Sequence, residues 1–312
     1  MDTLIQRLVL AALMVIAFLF FQIRPSHGEN SGVITDQLTL GFSAKFLNDV
    51  SRADAQVALE LWIKEMSKGI RFKTLPKPVI YDTVQEMKNA VRNKEVDFIA
   101  LNTLDYLNIR DTAPLEPVFV GDKGKELGGD QLVIVVRHDQ GISNVSQLKG
   151  KKLIMHAGVL LDSAHLWLRS VLAKTNLPEK ESFFGSIQEM SKVTQSLLPV
   201  FFKQADAAVL TRNSFETMAE LNPQIGKDMT VLLSSEKLLH GLFCFRKDLN
   251  ADIKAMVLNN ALNLKDTQAG RQVFMLFQIK TITPFKPTHL TTTLSLINDQ
   301  NRLTGRVSNK KN

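Results

Sequence analysis

A two-lobed α/β fold with a ligand cleft between the lobes is predicted by three features of the 312-residue sequence. Strand-like and helix-like stretches alternate from Leu38 to Leu101, and again from Leu132 to Leu210, as expected of mostly parallel sheets covered by helices. Between these stretches, Gly121 to Asp130 holds four glycines among alternating charges, a composition suited to a crossing between lobes. Hydrophobic residues make up 45% of the chain, enough for one large or two medium cores.

The chain opens with Arg7 and an unbroken apolar run from Leu8 to Phe21, followed by Ser26-His27-Gly28 with small residues at the usual −3 and −1 positions. That run is short for a membrane span and typical of a signal-peptide core, so residues 1–28 are expected to be a cleavable signal peptide. An uncleaved anchor extending to Ile23 is the alternative. A polar linker, Glu29 to Asp36, leads to a first strand at Leu38–Phe42. Ala58, Leu61, Trp62 and Met66 have helical spacing, with Gly69 ending that helix. Phe72 to Tyr81 is extended, and its prolines place it near a sheet edge. Asp82-Thr83 can cap a second helix that buries Val84, Met87 and Val91, and Val96 to Leu101 follows as a buried strand.

The second lobe repeats the pattern with strands Leu132–Val136, Leu153–Met155 and Ala205–Leu210. One helix follows Asp162 and another begins near Ser191. Met229–Leu233 and Leu242–Phe245 read as strands returning to the first lobe, and Ile253, Met256, Val257, Ala261 and Leu264 share a helix face. The predicted division is lobe 1 at 33–130 plus 240–300, lobe 2 at 131–239, and a basic tail at 301–312. Hinges are expected near 121–131 and 234–242.

Composition excludes several functions. The one cysteine, Cys244, cannot form an internal disulfide, and none lies near the cleavage site to carry a lipid. It is expected to be a buried strand residue in a free periplasmic protein. The net charge is +7, of which residues 302–312 supply +4 and the first 28 supply +1, leaving +2, which is no nucleic-acid footprint. The six histidines form no His-x-x-x-His pair, so neither a metal nor a cofactor is expected. No Gly-x-Ser-x-Gly elbow surrounds Ser163, and no catalytic constellation emerges; the chain is not expected to be an enzyme.

The order of several segments then becomes informative. These are the strand Leu38–Phe42, Val96-Asp97 through Asn102 with Tyr106, and Val133 to Arg137 with Asp139. Leu148-Lys-Gly-Lys-Lys-Leu153, Ala205-Asp206 and Gly241 to Asp248 complete the series. Together they resemble phosphonate/phosphate-type periplasmic solute-binding proteins of ABC transporters over residues 37–295. That resemblance implies the type II periplasmic-binding-protein fold, a small-molecule ligand such as a phosphorus oxyanion, and an inner-membrane ABC permease as partner. The family's Ser-Thr-Ser-Gly run at a helix N-terminus, which cradles an oxyanion, is replaced here by Val159-Leu-Leu-Asp-Ser-Ala-His165. Asp162 suits the helix dipole there and repels phosphate. The family histidine falls near Val193, and Tyr81 lies about three residues ahead of the family tyrosine, whereas Tyr106 and Asp206 match family positions. The reading is a substrate-binding component of an ABC transporter whose ligand is left open. The alternative is an extracytoplasmic ligand-sensing module serving a membrane sensor protein.

Candidate ligand residues sit where predicted strands end, since such ends face the cleft. Ser43 or Lys45 reaches from the first strand. Asn102, Thr103 and Tyr106 follow a buried strand, with capping and packing as their plainer roles. His156 and His165 flank the second-lobe loop, His165 reading as an ordinary helix residue; Ser163, a further candidate beside it, reads first as part of a helix cap. Arg212 is the planar-fork anion partner or a surface arginine. Asp206 can receive an amine or simply begin its strand. Tyr81 completes the set. Phe42 and Leu160-Leu161 would make the pocket apolar.

Overall fold

The computed structural model describes residues 34–309 apart from 36–37, 48–50, 70, 74–75, 123–128, 269, 272–273, 275–278 and 280. The signal segment expected at 1–28 and the middle of the glycine-rich crossing lie outside the described residues. The chain enters through β1 (Ile34–Thr35) and β2 (Leu40–Ser43). In α1 (Arg52–Met66), Ala58, Leu59, Trp62, Ile63 and Met66 are buried, and the Ser51 hydroxyl accepts the Asp54 N–H at 3.2 Å. β3 (Arg71–Phe72) pairs in parallel with β1. β4 (Pro78–Tyr81) is a sheet edge, as its prolines require. A complete capping box starts α2 (Val84–Arg92): Thr83 Oγ1 accepts the Glu86 N–H at 3.2 Å, and Glu86 Oε2 accepts the Thr83 N–H at 3.0 Å. Then come β5 (Phe98–Asn102), α3 (Thr103–Ile109) and β6 (Leu115–Asp122).

The second set comprises β7 (Asp130–Arg137), β8 (Lys152–His156), α4 (Leu161–Lys174), α5 (Lys180–Phe183), β9 (Ser186–Met190) and α6 (Val193–Phe201). It continues through β10 (Ala207–Thr211), α7 (Arg212–Leu221), α8 (Pro223–Asp228) and β11 (Met229–Leu238). The chain then returns through β12 (Gly241–Arg246), α9 (Ala251–Asn263), β13 (Thr281–Pro284) and α10 (Thr291–Asn309).

These strands form two main sheets, in the orders β13-β6-β12-β5-β2-β4 and β11-β7-β10-β8-β9, within one unit spanning residues 33–312. β2, β4 and β5 are mutually parallel, as are β8, β9 and β10. The remaining strands add antiparallel pairs. The first lobe is cored by aromatic rings: Phe42 lies 5.3 Å from Trp62, and Phe98 stacks on Phe243 at 5.8 Å. Cys244 is fully buried on β12, as its apolar neighbours in sequence predict, and burial pushes its thiol pKa well up.

Three differences from the sequence expectation stand out. β11 does not return to the first lobe; it pairs antiparallel with β7 and forms the second sheet's edge, so only β12 returns. β6, β9 and β13 were not anticipated, being short or interrupted by polar residues and prolines. The C-terminal helix leaves the first lobe as well. Leu290 and Leu294 pack in the first-lobe core, but Leu296 joins the second-lobe core and Asp299 pairs with Lys174 of α4 at 2.5 Å. The end of the 240–300 span therefore lies on the second lobe, and residues 301–309 of the expected basic tail continue as helix.

Two crossings pass in backbone contact. Gly129 has φ +128°, and a Cβ there would stand 2.0 Å from the Leu238 carbonyl oxygen, so any side chain is excluded on both conformational and steric grounds. Next to it, a Cβ on Gly241 would meet the Leu101 carbonyl oxygen at 2.5 Å.

Candidate functional site

The parallel strands of each sheet end at one side, where loops and helix starts gather. In the first lobe β2 ends at Ser43, and a 3-10 turn over Ala44–Leu47 carries Lys45 outward. β5 ends at Asn102, which caps α3. In the second lobe β8 ends at His156, and α4 begins at Leu161 with no side-chain cap on Leu160. β10 ends at Thr211, which caps α7.

The two lobes meet here at one ammonium group. Lys45 Nζ donates to Asp105 Oδ1 at 3.1 Å within its own lobe and to Asp162 Oδ2 at 2.8 Å in the other. The Asp105 side chain is only 5% exposed, while that of Asp162 is 51% exposed, so the shared lysine links a buried carboxylate to an open one. Burial lowers the Lys45 pKa, but hydrogen bonds and charge from Asp162 and Asp105 outweigh it and hold the ammonium above its ordinary value. Burial raises the Asp105 pKa against the opposing pull of Lys45. Asp162 stands in the first turn of α4, where the unpaired N–H groups of the helix start favour a negative charge.

Several predicted residues gather near this contact, and most have structural partners. Ser43 is 2% exposed, and its hydroxyl accepts the Lys45 N–H at 3.3 Å, shaping the turn that carries the lysine. Asn102 Oδ1 accepts the Asp105 N–H at 2.8 Å, and its Nδ2 donates to Asp105 Oδ2 at 2.8 Å; it is a helix cap that also braces the carboxylate facing Lys45. Thr103 Oγ1 donates to the Leu239 carbonyl at 2.7 Å, tying β5 to the returning crossing. Tyr106 is buried in the first-lobe core, and burial raises its pKa. Tyr81, paired with Ser43 across the β2–β4 ladder, packs its ring over Gly41; burial raises its pKa too. His156 ends β8 with its ring against Gly158, where a Cβ would stand 2.8 Å from the imidazole. Ser163 is buried in the first turn of α4.

Two further candidates, Asp206 and Arg212, have structural partners. Asp206 precedes β10, at the N-terminal end of the parallel strands. Its Oδ2 accepts the Lys152 N–H at 2.8 Å, and Lys151 Nζ lies 3.3 Å from its Oδ1. It fastens the start of β8. Arg212 does lie at the cleft end, but its Nε donates to Gln131 Oε1 at 2.7 Å and its Nη2 to Ser234 Oγ at 2.6 Å, so these donors brace β7 and β11. Phe42 and Leu160, expected to line the pocket, are buried in the two lobe cores. His165 bonds Glu189 at 2.9 Å and Lys180 at 3.0 Å within its own lobe, in keeping with an ordinary helix residue. Asp105 was missed. The signal for it is the cap spacing Asn-x-x-Asp directly after a buried strand.

Among the described residues no His/Cys/Asp/Glu group is arranged to hold a metal, and no helix is long and apolar enough to cross a membrane.

Known structures share this architecture. A Xanthomonas citri protein bound to ATP matches at TM-score 0.65 and 15% identity, covering 87% of this chain and 99% of that one. The binding protein component of an ABC phosphonate transporter from Pseudomonas aeruginosa matches at TM-score 0.62 and 16% identity, covering 85% and 87%. PhnD1 of Prochlorococcus marinus, in complex with methylphosphonate, matches at TM-score 0.62 and 16% identity, covering 85% and 98%. At such identities the likeness shows the fold, a type II periplasmic-binding-protein fold. No curated protein matches the sequence. The family model for the ABC transporter, phosphonate, periplasmic substrate-binding protein matches residues 46–290. With most of the chain matched, it belongs to this family of periplasmic substrate-binding components of ABC transporters.

Proposed function

We propose that the chain, exported by a cleavable signal peptide, closes its lobes on a small solute and presents the closed form to an inner-membrane permease. The observation that carries this reading is the meeting of both lobes' strand ends at Lys45, Asp105 and Asp162. Closure would pivot where Gly129 passes Leu238 and β11 gives way to β12. Lobe 1 would comprise 33–130 plus the returning segment from 240, and lobe 2 residues 131–239. The cleft would act by binding alone, without catalysis.

Ligand class is the open question. The related Prochlorococcus marinus protein is seen with methylphosphonate, and the Xanthomonas citri protein with ATP. Phosphorus oxyanions are therefore the first solutes to try. A thermal-shift panel of phosphate, phosphite, methylphosphonate, aminoethylphosphonate and phosphorus-free metabolites, with native mass spectrometry of the purified protein, tests the reading. A millimolar solute on a micromolar site adds about 4 kcal/mol of stability, an unmistakable shift. Absence of any stabilising solute, with no change in compactness by X-ray scattering, would defeat the receptor reading.

A further inference from the structure

We propose that Asp162 is a tethered anion: by engaging Lys45 it holds the lobes together without solute and selects against phosphorus oxyanions. The inference rests on the receptor reading and specifies how that same cleft chooses its ligand. Lys45 makes charge contacts to both lobes at their strand ends, and both contacts are carboxylates, at 3.1 and 2.8 Å. One of them, Asp105, is fixed: it is buried, capped by Asn102 and part of α3. The other is carried on the opposite lobe, at the start of a helix whose preceding residue, Leu160, gives no side-chain cap. An arriving oxyanion would seek the same two positive features, the ammonium and the helix start. Both already have a carboxylate beside them, attached to the chain and therefore at high local concentration.

The charge balance sharpens the point. Two carboxylates flank one ammonium, so the contact carries a net negative charge before any solute enters. A dianion must displace Asp162 and then remain near it and Asp105, where like charges oppose binding. A neutral or zwitterionic solute meets no such penalty and can leave the lysine contact intact. Asp162 thus acts as a specificity residue through its charge.

The test uses X-ray scattering of the purified, solute-free protein at low ionic strength, and methylphosphonate titration by calorimetry, on wild type, D162N, K45M and the double variant. Circular dichroism checks that each is folded. Wild type should be compact, D162N and K45M measurably more extended, and the double variant no more extended than either single one. D162N should bind methylphosphonate about tenfold or more tightly than wild type, since one nearby negative charge is gone. Identical scattering of wild type and D162N overturns the proposal, as does an unchanged methylphosphonate affinity. A panel solute that stabilises wild type, with D162N matching wild type both in solute-free scattering and in methylphosphonate affinity, would leave the receptor reading standing while removing the tethered anion. The receptor reading itself fails if no solute of the wider panel stabilises the protein or changes its compactness.

Discussion

Residues 96–109 and 205–221 are the same device built twice, once in each lobe. Each begins with an aspartate ahead of a buried strand and ends with a capped helix. Asp97 Oδ2 accepts the Thr39 N–H at 2.9 Å at the start of β2; Asp206 Oδ2 accepts the Lys152 N–H at 2.8 Å at the start of β8. Each also faces a cation, Arg246 at 2.9 Å for Asp97 and Lys151 at 3.3 Å for Asp206. At the far end Asn102 caps α3 and Thr211 caps α7. The next residues, Thr103 and Arg212, reach toward the crossings through Leu239 and through Gln131 and Ser234. The comparison teaches that Asp206 is a fastening repeated from Asp97, and that what differs between the lobes lies at the strand ends. There, the third helical residue is Asp105 in one lobe, facing Lys45, and Ser214 in the other.

Breaking the fastenings should give the largest effects. Asp97 is more buried than Asp206, and its partner Arg246 is 11% exposed, so Asp97→Ala removes one of the two carboxylates on a largely buried guanidinium together with the acceptor of the Thr39 N–H. We expect about 3 kcal/mol lost for Asp97→Ala and about 1 kcal/mol for Asp206→Ala, read as urea midpoints. Asp206→Ala should leave solute binding intact. A folded Asp206→Ala protein that no longer responds to the solute identified by the panel would return Asp206 to the site and break the comparison.

The caps come next. Asn102→Ala removes a cap and a brace on Asp105, about 2 kcal/mol; Thr211→Ala removes only the Ser214 contacts, about 1 kcal/mol. Equal losses in thermal unfolding would show that the Asn102–Asp105 bond adds nothing beyond capping.

Much of this was legible in the sequence because it is local. The βαβ alternation, the Thr83 cap, the prolines at an edge strand and the burial of Cys244 follow from short-range pattern. What failed required knowing the opposite side of a strand. A strand's sequence does not say which neighbour it takes, so β11 was sent to the wrong lobe and α10's return to the second lobe was not foreseen. Asp206 looked like a ligand residue because polar groups beside buried strands are informative, but nothing local distinguishes the closed end of a sheet from its cleft end. Lys45 and Asp162 were both visible as charges; their meeting across 117 positions of sequence was not.

The smallest expected effect is a difference of sign at acid pH between two carboxylates that share Arg246. Burial raises the Asp97 pKa above its ordinary value, against the pull of its Thr39 and Arg246 partners. The folded state therefore keeps the Asp97 proton to higher pH than the unfolded chain does, and stability falls as pH rises through that interval. Asp248 is lowered to about 2, by the Lys94 hydrogen bond first and Arg246 second. Its contribution is present above the ordinary carboxylate range and is lost as pH falls toward about 2. Asp248 is largely solvent-exposed, so its share is screened and modest. Urea midpoints measured across the acid range should therefore show Asp97→Asn steepening the loss of stability on acidification and Asp248→Asn flattening it. The same slope change in both variants would mean that the carboxylates titrate as one group on Arg246, and that the lobe-1 fastening works by charge alone and not through its part-buried hydrogen bond to Thr39.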